Sequence, residues 1–541
     1  MTFVRTISFR DQKPGTSGLR RKVSEFQTPH FLQNFVQSIF DCLHNKYGQT
    51  LVLGGDGRFF NETALQVIIK MCQANGFGKL IVGQNGLLST PAASHLIRLY
   101  KAYGGIILSA SHNAGGQDGD FGIKYNVSNG GPAPEIFNRL VYQRTKTIQY
   151  YQISDFEDID LSNIGEINTG TMRICIIDPV YDYTLLMQSL IDFDLVRKII
   201  KDGFTFSFDA MHAVTGPYAK EIFINLLGVD ESFILNSNPS PNFGGGHPDP
   251  NRVYSKILYD SAITSDGPDL FTASDGDGDR NVIVGKDCFV TASDSLAVLA
   301  ANAHLVPGYR SGINAVARSM ATSRAVDQVM SFQGRRVFET PTGWKFFVNL
   351  LEAGEISLCG EESAGTGSKH LREKDGIWAI LMWLNILAVR KQSVKEVMQD
   401  HWRIFGRNYY TRHDFEEVDT ESACRLMVSL KQRLSSLQKK ETIISRINIA
   451  DEFSYRDPIE QSVIHNEGIR LIFEDGSRIM FRLSGTRTVG ETLRIYMERY
   501  VGPDGNHSSD ILDVIFDLVT FSYDIAQIEY FTGRTSPSLI A

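Results

Sequence analysis

Residues 106–113 read Ile106-Ile107-Leu108-Ser109-Ala110-Ser111-His112-Asn113. An apolar strand runs without a break into a turn rich in hydroxyl and amide groups, with Gly115-Gly116 just beyond. Upstream, the same texture alternates with helices. Phe31, Phe35 and Ile39 recur every four residues after Thr28-Pro29, which predicts an amphipathic helix with Thr28 as its cap and Pro29 in its first turn. Short strands are predicted at 50–53 and 79–82, a helix at 62–74 ended by Gly76, and a second Thr-Pro helix from Thr90-Pro91 to Gly104. Short apolar strands separated by helices point to a largely parallel sheet.

The pattern recurs downstream. Apolar strands at 173–177 and 205–208 each run into an aspartate, Asp178 or Asp209, and the strand at 270–273 opens into Ser274-Asp275-Gly276-Asp277-Gly278-Asp279-Arg280. Strands at 313–316, 336–338 and 356–359 follow, the last leading into Gly360-Glu361-Glu362-Ser363. Ligands of open α/β sheets sit outside the carboxyl ends of strands, so these turns are where chemistry is expected. After about residue 406 the texture becomes α+β. A hairpin is predicted at 469–482 around Asp475-Gly476, then a strand at 492–497, a helix across roughly 508–528 and a short Pro/Ser-rich tail from Gly533.

Composition narrows the function classes. The chain has 541 residues, 42% of them hydrophobic and 21% charged, which is enough apolar material for several buried cores. A net charge of −8 argues against nucleic acid as a main partner. Six cysteines without a CxxC pair give neither a disulfide framework nor a cysteine zinc site. No run reaches the ~20 apolar residues of a membrane span, 377–389 coming nearest. Arg5, Arg10 and Asp11 interrupt any apolar leader, so a soluble cytoplasmic enzyme is expected. The sequons at Asn61, Asn126 and Asn506 are accordingly read as chance.

Asp275, Asp277 and Asp279, alternating with glycine, are the sharpest feature. Three carboxylates folded into one tight loop repel strongly unless a cation neutralises them, and hard oxygen ligands suit Mg²⁺. The site is therefore read as metal-binding rather than as a solvated acidic turn. An EF-hand loop needs Gly at its sixth position and Glu at its twelfth, where this chain has Arg280 and Lys286. Ser111 at a strand end beside His112 is a candidate nucleophile, although spacing alone favours an ordinary turn. Glu361 and Ser363 read by themselves as a polar turn, and Lys124 and Lys374 as surface lysines. Arg482-Leu483-Ser484-Gly485-Thr486, with Arg494 beyond, has the donors for a phosphate dianion, a reading that stands even with its alternatives. No P-loop, HExxH or G-x-S-x-G occurs, and Gly55-Asp56-Gly57-Arg58-Phe59-Phe60 lacks the third glycine of a dinucleotide turn.

Together these segments resemble the α-D-phosphohexomutase superfamily, and within it the phosphoglucomutases, over nearly the whole chain. The resemblance rests on Lys13-Pro-Gly-Thr-Ser-Gly-Leu-Arg20, Ser109–Asn113, Asp120-Phe-Gly-Ile-Lys124, Asp275–Arg280, Thr340-Pro-Thr-Gly-Trp344, Cys359–Ser363, Arg372-Glu-Lys-Asp-Gly376 and Arg482–Thr486, in that order. It implies four domains around a central cleft: three related mixed α/β domains at 1–185, 186–291 and 292–406, and a smaller α+β domain at 407–541. It implies reversible interconversion of glucose 1-phosphate and glucose 6-phosphate, with glucose 1,6-bisphosphate as intermediate and activator. Ser111 would carry the phosphoryl group. One Mg²⁺ would be held by Asp275, Asp277, Asp279 and an oxygen on Ser111. Arg20, His112, Lys124 and Lys374 would surround the reacting group, with one of the two lysines moving the proton. Thr342, Gly343, Glu361, Ser363 and Arg280 would contact the sugar phosphate. Arg482, Ser484, Gly485, Thr486 and Arg494 would grip the phosphate not being transferred.

Sugar phosphates are then the partners, with no nucleic acid or membrane, and the chain is expected to be a monomer or weak dimer. Two rival functions share the resemblance: a phosphotransferase that releases glucose 1,6-bisphosphate, and a non-catalytic scaffold. The scaffold is disfavoured because the serine and the acidic loop are both intact. Three positions depart from the family pattern. Arg487 stands where the phosphate loop usually has Gly, Glu491 replaces a small residue, and Ala114 replaces a common Pro.

Overall fold

A computed structural model of the chain describes residues 2–15, 17–251, 259–260, 262–484 and 490–541. The chain divides into two compact units. One holds residues 1–295, 301–315 and 343–395; the other holds 296–300, 316–342 and 396–541. The block expected at 292–406 thus contributes to both.

In the first unit, a seven-stranded sheet is built around Thr50–Gly55. Gly104–Leu108 lies parallel to it on one side, and Lys79–Leu87 and then Arg173–Ile177 lie parallel on the other. Asp120–Val127 and Leu19–Lys22 extend one edge antiparallel, and Gly165–Asn168 caps the other. After Thr50–Gly55 the chain crosses to one side, and after Gly104–Leu108 it crosses to the other. Their carboxyl ends therefore form a switch point, where α/β sheets open a crevice. Gly55 pairs in register with Leu108, which sets Asp56 and Ser109 side by side.

Two helix starts differ from the sequence expectation. The first helix spans Phe31–Asp41, not from Pro29, because His30 takes the left-handed N-cap position at φ +72°. Its Phe31, Phe35 and Ile39 do face the core, against Phe26, Phe40 and Phe77. The helix at Thr90–Leu99 is capped by Ser89, whose hydroxyl accepts from Ala92 N, so Thr90 lies inside the helix. It ends at Leu99, well before Gly104, which begins a strand.

The same unit contains a five-stranded sheet. Phe206–Asp209 lies between Ile234–Leu235 and Leu270–Ala273, all parallel, followed by the antiparallel pair Val282–Gly285 and Cys288–Val290. The acidic loop leaves Leu270–Ala273 at its carboxyl end. A hairpin of Leu358–Gly360 and Thr366–Ser368 holds the 361–365 turn. The apolar run near 377–389 is the helix Gly376–Arg390, capped by Asp375 and buried from Gly376 to Ala388. Among the described residues no helix is long and apolar enough to cross a membrane.

The second unit carries a six-stranded antiparallel sheet, ordered Ile447–Glu452, Ile469–Phe473, Arg478–Ser484, Glu491–Val501, Arg407–Val418, Leu539–Ile540. Thr420–Leu437 and Ile511–Ala526 pack on one face around Phe415, Leu426, Leu471, Phe481 and Leu518. The expected hairpin forms, with Gly476 at φ +87° in its turn. The tail is not loose: Leu539–Ile540 pairs with His413 and Asp414 as an edge strand. Gly485, Thr486 and the departure at Arg487 lie outside the described residues.

Candidate active site

Ser111 sits at the switch point in left-handed backbone conformation, φ +53°, a strained state for a non-glycine residue. A buried clamp holds it there. Asp56 accepts the Ser109 hydroxyl at 2.6 Å, and Ser109 Oγ accepts Ser111 N at 2.7 Å. Arg58, paired with Asp56 where neither side chain is exposed, donates to the carbonyl oxygens of Ser111 and Asp120. The loop is thereby fixed from behind, and Ser111 Oγ points toward the acidic turn.

There, Ser111 Oγ donates to Asp275 Oδ2 at 2.7 Å. Asp275, Asp277 and Asp279 are buried, and one oxygen from each lies within 4.8 Å of the others. Two positive-φ or crowded glycines allow the turn. Gly278 has φ +82°, and a Cβ on Gly276 would stand 2.4 Å from Ser111 O. Asp275 Oδ1 accepts from the N–H groups of Asp279 and Arg280. Asp277 Oδ2 accepts from Thr90 Oγ1 at 2.6 Å. Oδ1 of Asp277 and Oδ1 of Asp279 are buried with no hydrogen-bond partner among the described residues. Burial, and then the charges of Asp279 and Asp277, push the Asp275 carboxyl well above its ordinary range. Burial also acts on Asp277, but Lys124, the Thr90 hydroxyl and Arg20 more than reverse it and hold that carboxyl down. Orphaned buried oxygens and unbalanced negative charge are what a hard divalent cation satisfies, so the residues fit one.

Two lysines flank the acidic turn. Lys124, on Asp120–Val127, lies 3.7 Å from Asp277 Oδ2 and 3.5 Å from Glu373. Lys374 lies 3.8 Å from Asp279 Oδ2 and 3.7 Å from Glu361 Oε2. Burial disfavours each ammonium, but Glu373 and Asp277 raise Lys124, and Asp279 and Glu361 raise Lys374, so both stay charged. His112 Nδ1 is 3.3 Å from Ser111 Oγ. Burial, with Arg280, Arg20 and Lys374 nearby, lowers its pKa far enough to keep the ring neutral. Arg20, on Leu19–Lys22 and opposite Gly122, has a buried Nε without a hydrogen-bond partner among the described residues. Arg280 reaches Asp249 at 3.4 Å and Asp275 at 3.9 Å.

The backbone stitches these turns together. Arg280 bridges to Gly365, Asn281 N donates to Ala364 O, and Gly376 N donates to Gly278 O. Glu361 Oε1 accepts from Gly343 N at 3.0 Å, and burial raises the Glu361 carboxyl despite Lys374. Ser363 is half-buried at the tip of this turn. The first unit thus brings together Arg20, Ser111, His112, Lys124, the three aspartates, Arg280, Gly343, Glu361, Ser363 and Lys374.

The second unit holds Thr342, Arg482, Ser484 and Arg494. Thr342 has a buried hydroxyl oxygen without a hydrogen-bond partner among the described residues. Arg482 stands directly opposite Arg494 on neighbouring strands, with Ser484 opposite Thr492. Arg494 Nε is 3.5 Å from Asp414. Glu491, one of the three departures, is buried at the head of its strand. Sequence reading missed Asp56, Arg58, Thr90 and Glu373 as parts of the site. A signal was present for the first two: the strand at 50–55 also runs into an aspartate in a glycine-rich turn.

Comparison with known proteins supplies the lineage. Models of the phosphoglucomutase/phosphomannomutase α/β/α domains I, II and III match residues 11–152, 183–288 and 292–405, and that of the phosphoglucomutase-1 C-terminal domain matches 407–538. A phosphoglucomutase of Rhizobium radiobacter is 53% identical over 99% of both chains. A cytoplasmic phosphoglucomutase of Populus tremula is 47% identical, over 99% of this chain and 98% of its own. Among solved structures, the open form of the exocytosis-sensitive phosphoprotein pp63/parafusin of Paramecium superposes with a TM-score of 0.94 at 46% identity, covering 100% of this chain and 99% of its own. Four consecutive domain matches and near-complete alignment at this identity leave one conclusion: the chain is a four-domain α/β protein and belongs to the phosphoglucomutase family.

Proposed function

We propose that the chain is a phosphoglucomutase that interconverts glucose 1-phosphate and glucose 6-phosphate through a phosphoserine at Ser111. The observation that carries this reading is the 2.7 Å approach of Ser111 Oγ to Asp275, inside a buried acidic cluster bordered by two lysines. Phosphoryl transfer needs alignment and charge neutralisation more than covalent chemistry, and this cluster is built for both. Mg²⁺, held by Asp275, Asp277, Asp279 and an oxygen on Ser111, would neutralise charge on the transferring group.

The residues divide the remaining work. Ser111 Oγ gives its phosphoryl group to O6 of glucose 1-phosphate: the O6–P bond forms, the Oγ–P bond breaks, and the O6 proton goes to Lys124 or Lys374, which would take it as the neutral amine once a cation offsets the aspartate charge that raises its pKa. Glucose 1,6-bisphosphate turns over, its O1–P bond breaks as the Oγ–P bond re-forms, the lysine returns its proton to O1, and glucose 6-phosphate leaves. Arg20 and His112 donate to the phosphoryl oxygens. Thr342, Gly343, Glu361, Ser363 and Arg280 hold the sugar phosphate. Arg482, Ser484, Gly485, Thr486 and Arg494 are assigned the phosphate that is not transferred. The same reading takes the domains as 1–185, 186–291, 292–406 and 407–541, the protein as a monomer or weak dimer, and its compartment as the cytoplasm.

A coupled assay for glucose 6-phosphate, with Mg²⁺ and trace glucose 1,6-bisphosphate, tests the activity, and intact mass with peptide mapping tests the nucleophile. Turnover lost in Ser111→Ala, with the phosphate mapped to Ser111, is the expected result. Product formation by Ser111→Ala at the wild-type rate, or net accumulation of bisphosphate, would overturn it.

A further inference from the structure

We infer that Thr90 is a positioning residue for the metal centre: its hydroxyl fixes one oxygen of Asp277 so that the other is presented to the cation. The inference rests on the metal-binding reading of the aspartate loop given above.

Thr90 is fully buried at the start of Thr90–Leu99. A threonine at the N-cap position itself commonly spends its hydroxyl on its own helix. Here Ser89 does that, accepting from Ala92 N, and the Thr90 hydroxyl is released for another partner. That partner is Asp277 Oδ2, 2.6 Å away and 187 positions later in the chain. Thr90 N also donates to the Asp277 carbonyl oxygen at 2.9 Å, so side chain and backbone of one residue are both held by the other. Lys124 faces the same Oδ2 at 3.7 Å. Both side-chain contacts fall on Oδ2, and among the described residues Oδ1 is left buried without a hydrogen-bond partner.

Asp275 follows the same plan with different donors, its Oδ1 tied by two backbone N–H groups while Oδ2 faces Ser111. Backbone donors come with the turn itself. Among the described residues no turn N–H donates to the Asp277 carboxylate, and a side chain of the first sheet's helix takes that role. A carboxylate whose second oxygen is tied loses rotational freedom before the cation arrives. Outer-shell partners of this kind typically govern ~10–100-fold in metal affinity.

The test is direct metal binding by the full-length protein. Chelator-treated wild type, Thr90→Val, Thr90→Ser and Asp277→Asn, matched for Ser111 phosphorylation by intact mass, are titrated with Mn²⁺ alone, and free Mn²⁺ is read by electron paramagnetic resonance. Thr90→Val, which removes the donor and keeps the shape, should bind ~10–100-fold more weakly, and Thr90→Ser within about twofold of wild type. Should Thr90→Val not fold, Thr90→Ala carries the same expectation. If Asp277→Asn loses Mn²⁺ while Thr90→Val binds like wild type, the inference fails and the metal centre stands. Thr90→Ser binding as weakly as Thr90→Val would make methyl packing the cause and overturn it too. Wild type that binds no Mn²⁺, or Asp277→Asn that binds it as well as wild type, removes the metal reading and the inference with it.

Discussion

Arg58 Nη2 donates to the carbonyl oxygen of Ser111 at 2.7 Å, while the Arg58 side chain is wholly buried against Asp56. A single guanidinium therefore ties the nucleophile's backbone to the strand at Thr50–Gly55. Lysine has the charge but not the planar fork, and cannot serve Asp56 and two carbonyls together. Arg58→Lys should lower kcat at least about tenfold with a smaller change in KM, since a misplaced nucleophile harms the transition state more than binding. Arg58→Ala leaves Asp56 buried and unpaired, which costs about 3–5 kcal/mol. Wild-type kcat in Arg58→Lys, or an unchanged melting temperature in Arg58→Ala, would remove the clamp from the account.

Removal of metal should abolish turnover. Chelation by EDTA is expected to inactivate the protein, and Mg²⁺ to restore it, because Asp277 Oδ1 and Asp279 Oδ1 are buried acceptors with no donor among the described residues. Asp279→Asn should require a Mg²⁺ concentration more than about tenfold higher for half-activation. Full activity in excess EDTA would show that Lys124, Lys374 and the arginines neutralise the transferring group unaided.

What sequence made legible follows from locality. Ser109–Asn113 and Asp275–Arg280 are each continuous with the strand that aims them, so strand and turn read as one signal. Thr90 and Asp277 are far apart in the chain, and nothing in either segment announces the other. The helix start also misled by one place: Thr90-Pro91 looked like a cap, whereas Ser89 caps and Pro91 is tolerated in a first turn whose N–H groups have no helical acceptor. In the sequence Arg58 reads only as part of a glycine turn that fails the dinucleotide pattern. The strand Arg407–Val418 passed unread because its alternation is broken, with a register shift between Phe415 and Val418. Leu539–Ile540 is too short to signal a strand, and exists because the edge at His413 and Asp414 offers it partners.

Acid should act on the second unit through Glu339. Its carboxylate accepts from Arg318 at 2.9 Å and from Arg470 at 2.7 Å, with Arg478 at 3.5 Å. Burial opposes its charge, but Arg318, Arg478 and Arg470 prevail and lower its pKa from 4.5 to about 2. The folded form then binds fewer protons than the unfolded form. The stabilisation is complete above about pH 4.5 and is lost as the pH falls toward 2, a contribution of up to about 3 kcal/mol. Glu339→Gln should melt lower at neutral pH and show a shallower fall in melting temperature between pH 4.5 and 2. An acid limb parallel to wild type would mean that other carboxylates carry the transition.

Arg494 should be a determinant of KM. It faces Arg482 across one strand pair and Asp414 across the other, in a single cross-strand row. Like charges opposite one another destabilise a sheet, and Asp414, itself buried, also serves Arg412 at 2.9 Å. Among the described residues Asp414 is the carboxylate that faces Arg494, and it also serves Arg412, so the facing Arg482 and Arg494 carry charge that a phosphate dianion would complete. A hydrogen bond to a charged group contributes about 1.5–3 kcal/mol, so Arg494→Ala should raise KM for glucose 1-phosphate roughly 10–150-fold. Asp414→Asn keeps both arginines but loosens Arg494, and should raise KM by only about threefold while lowering the melting temperature. Steady-state kinetics on the two variants decides the matter. KM unchanged in Arg494→Ala would detach this row from the substrate and leave it as structural support for the sheet.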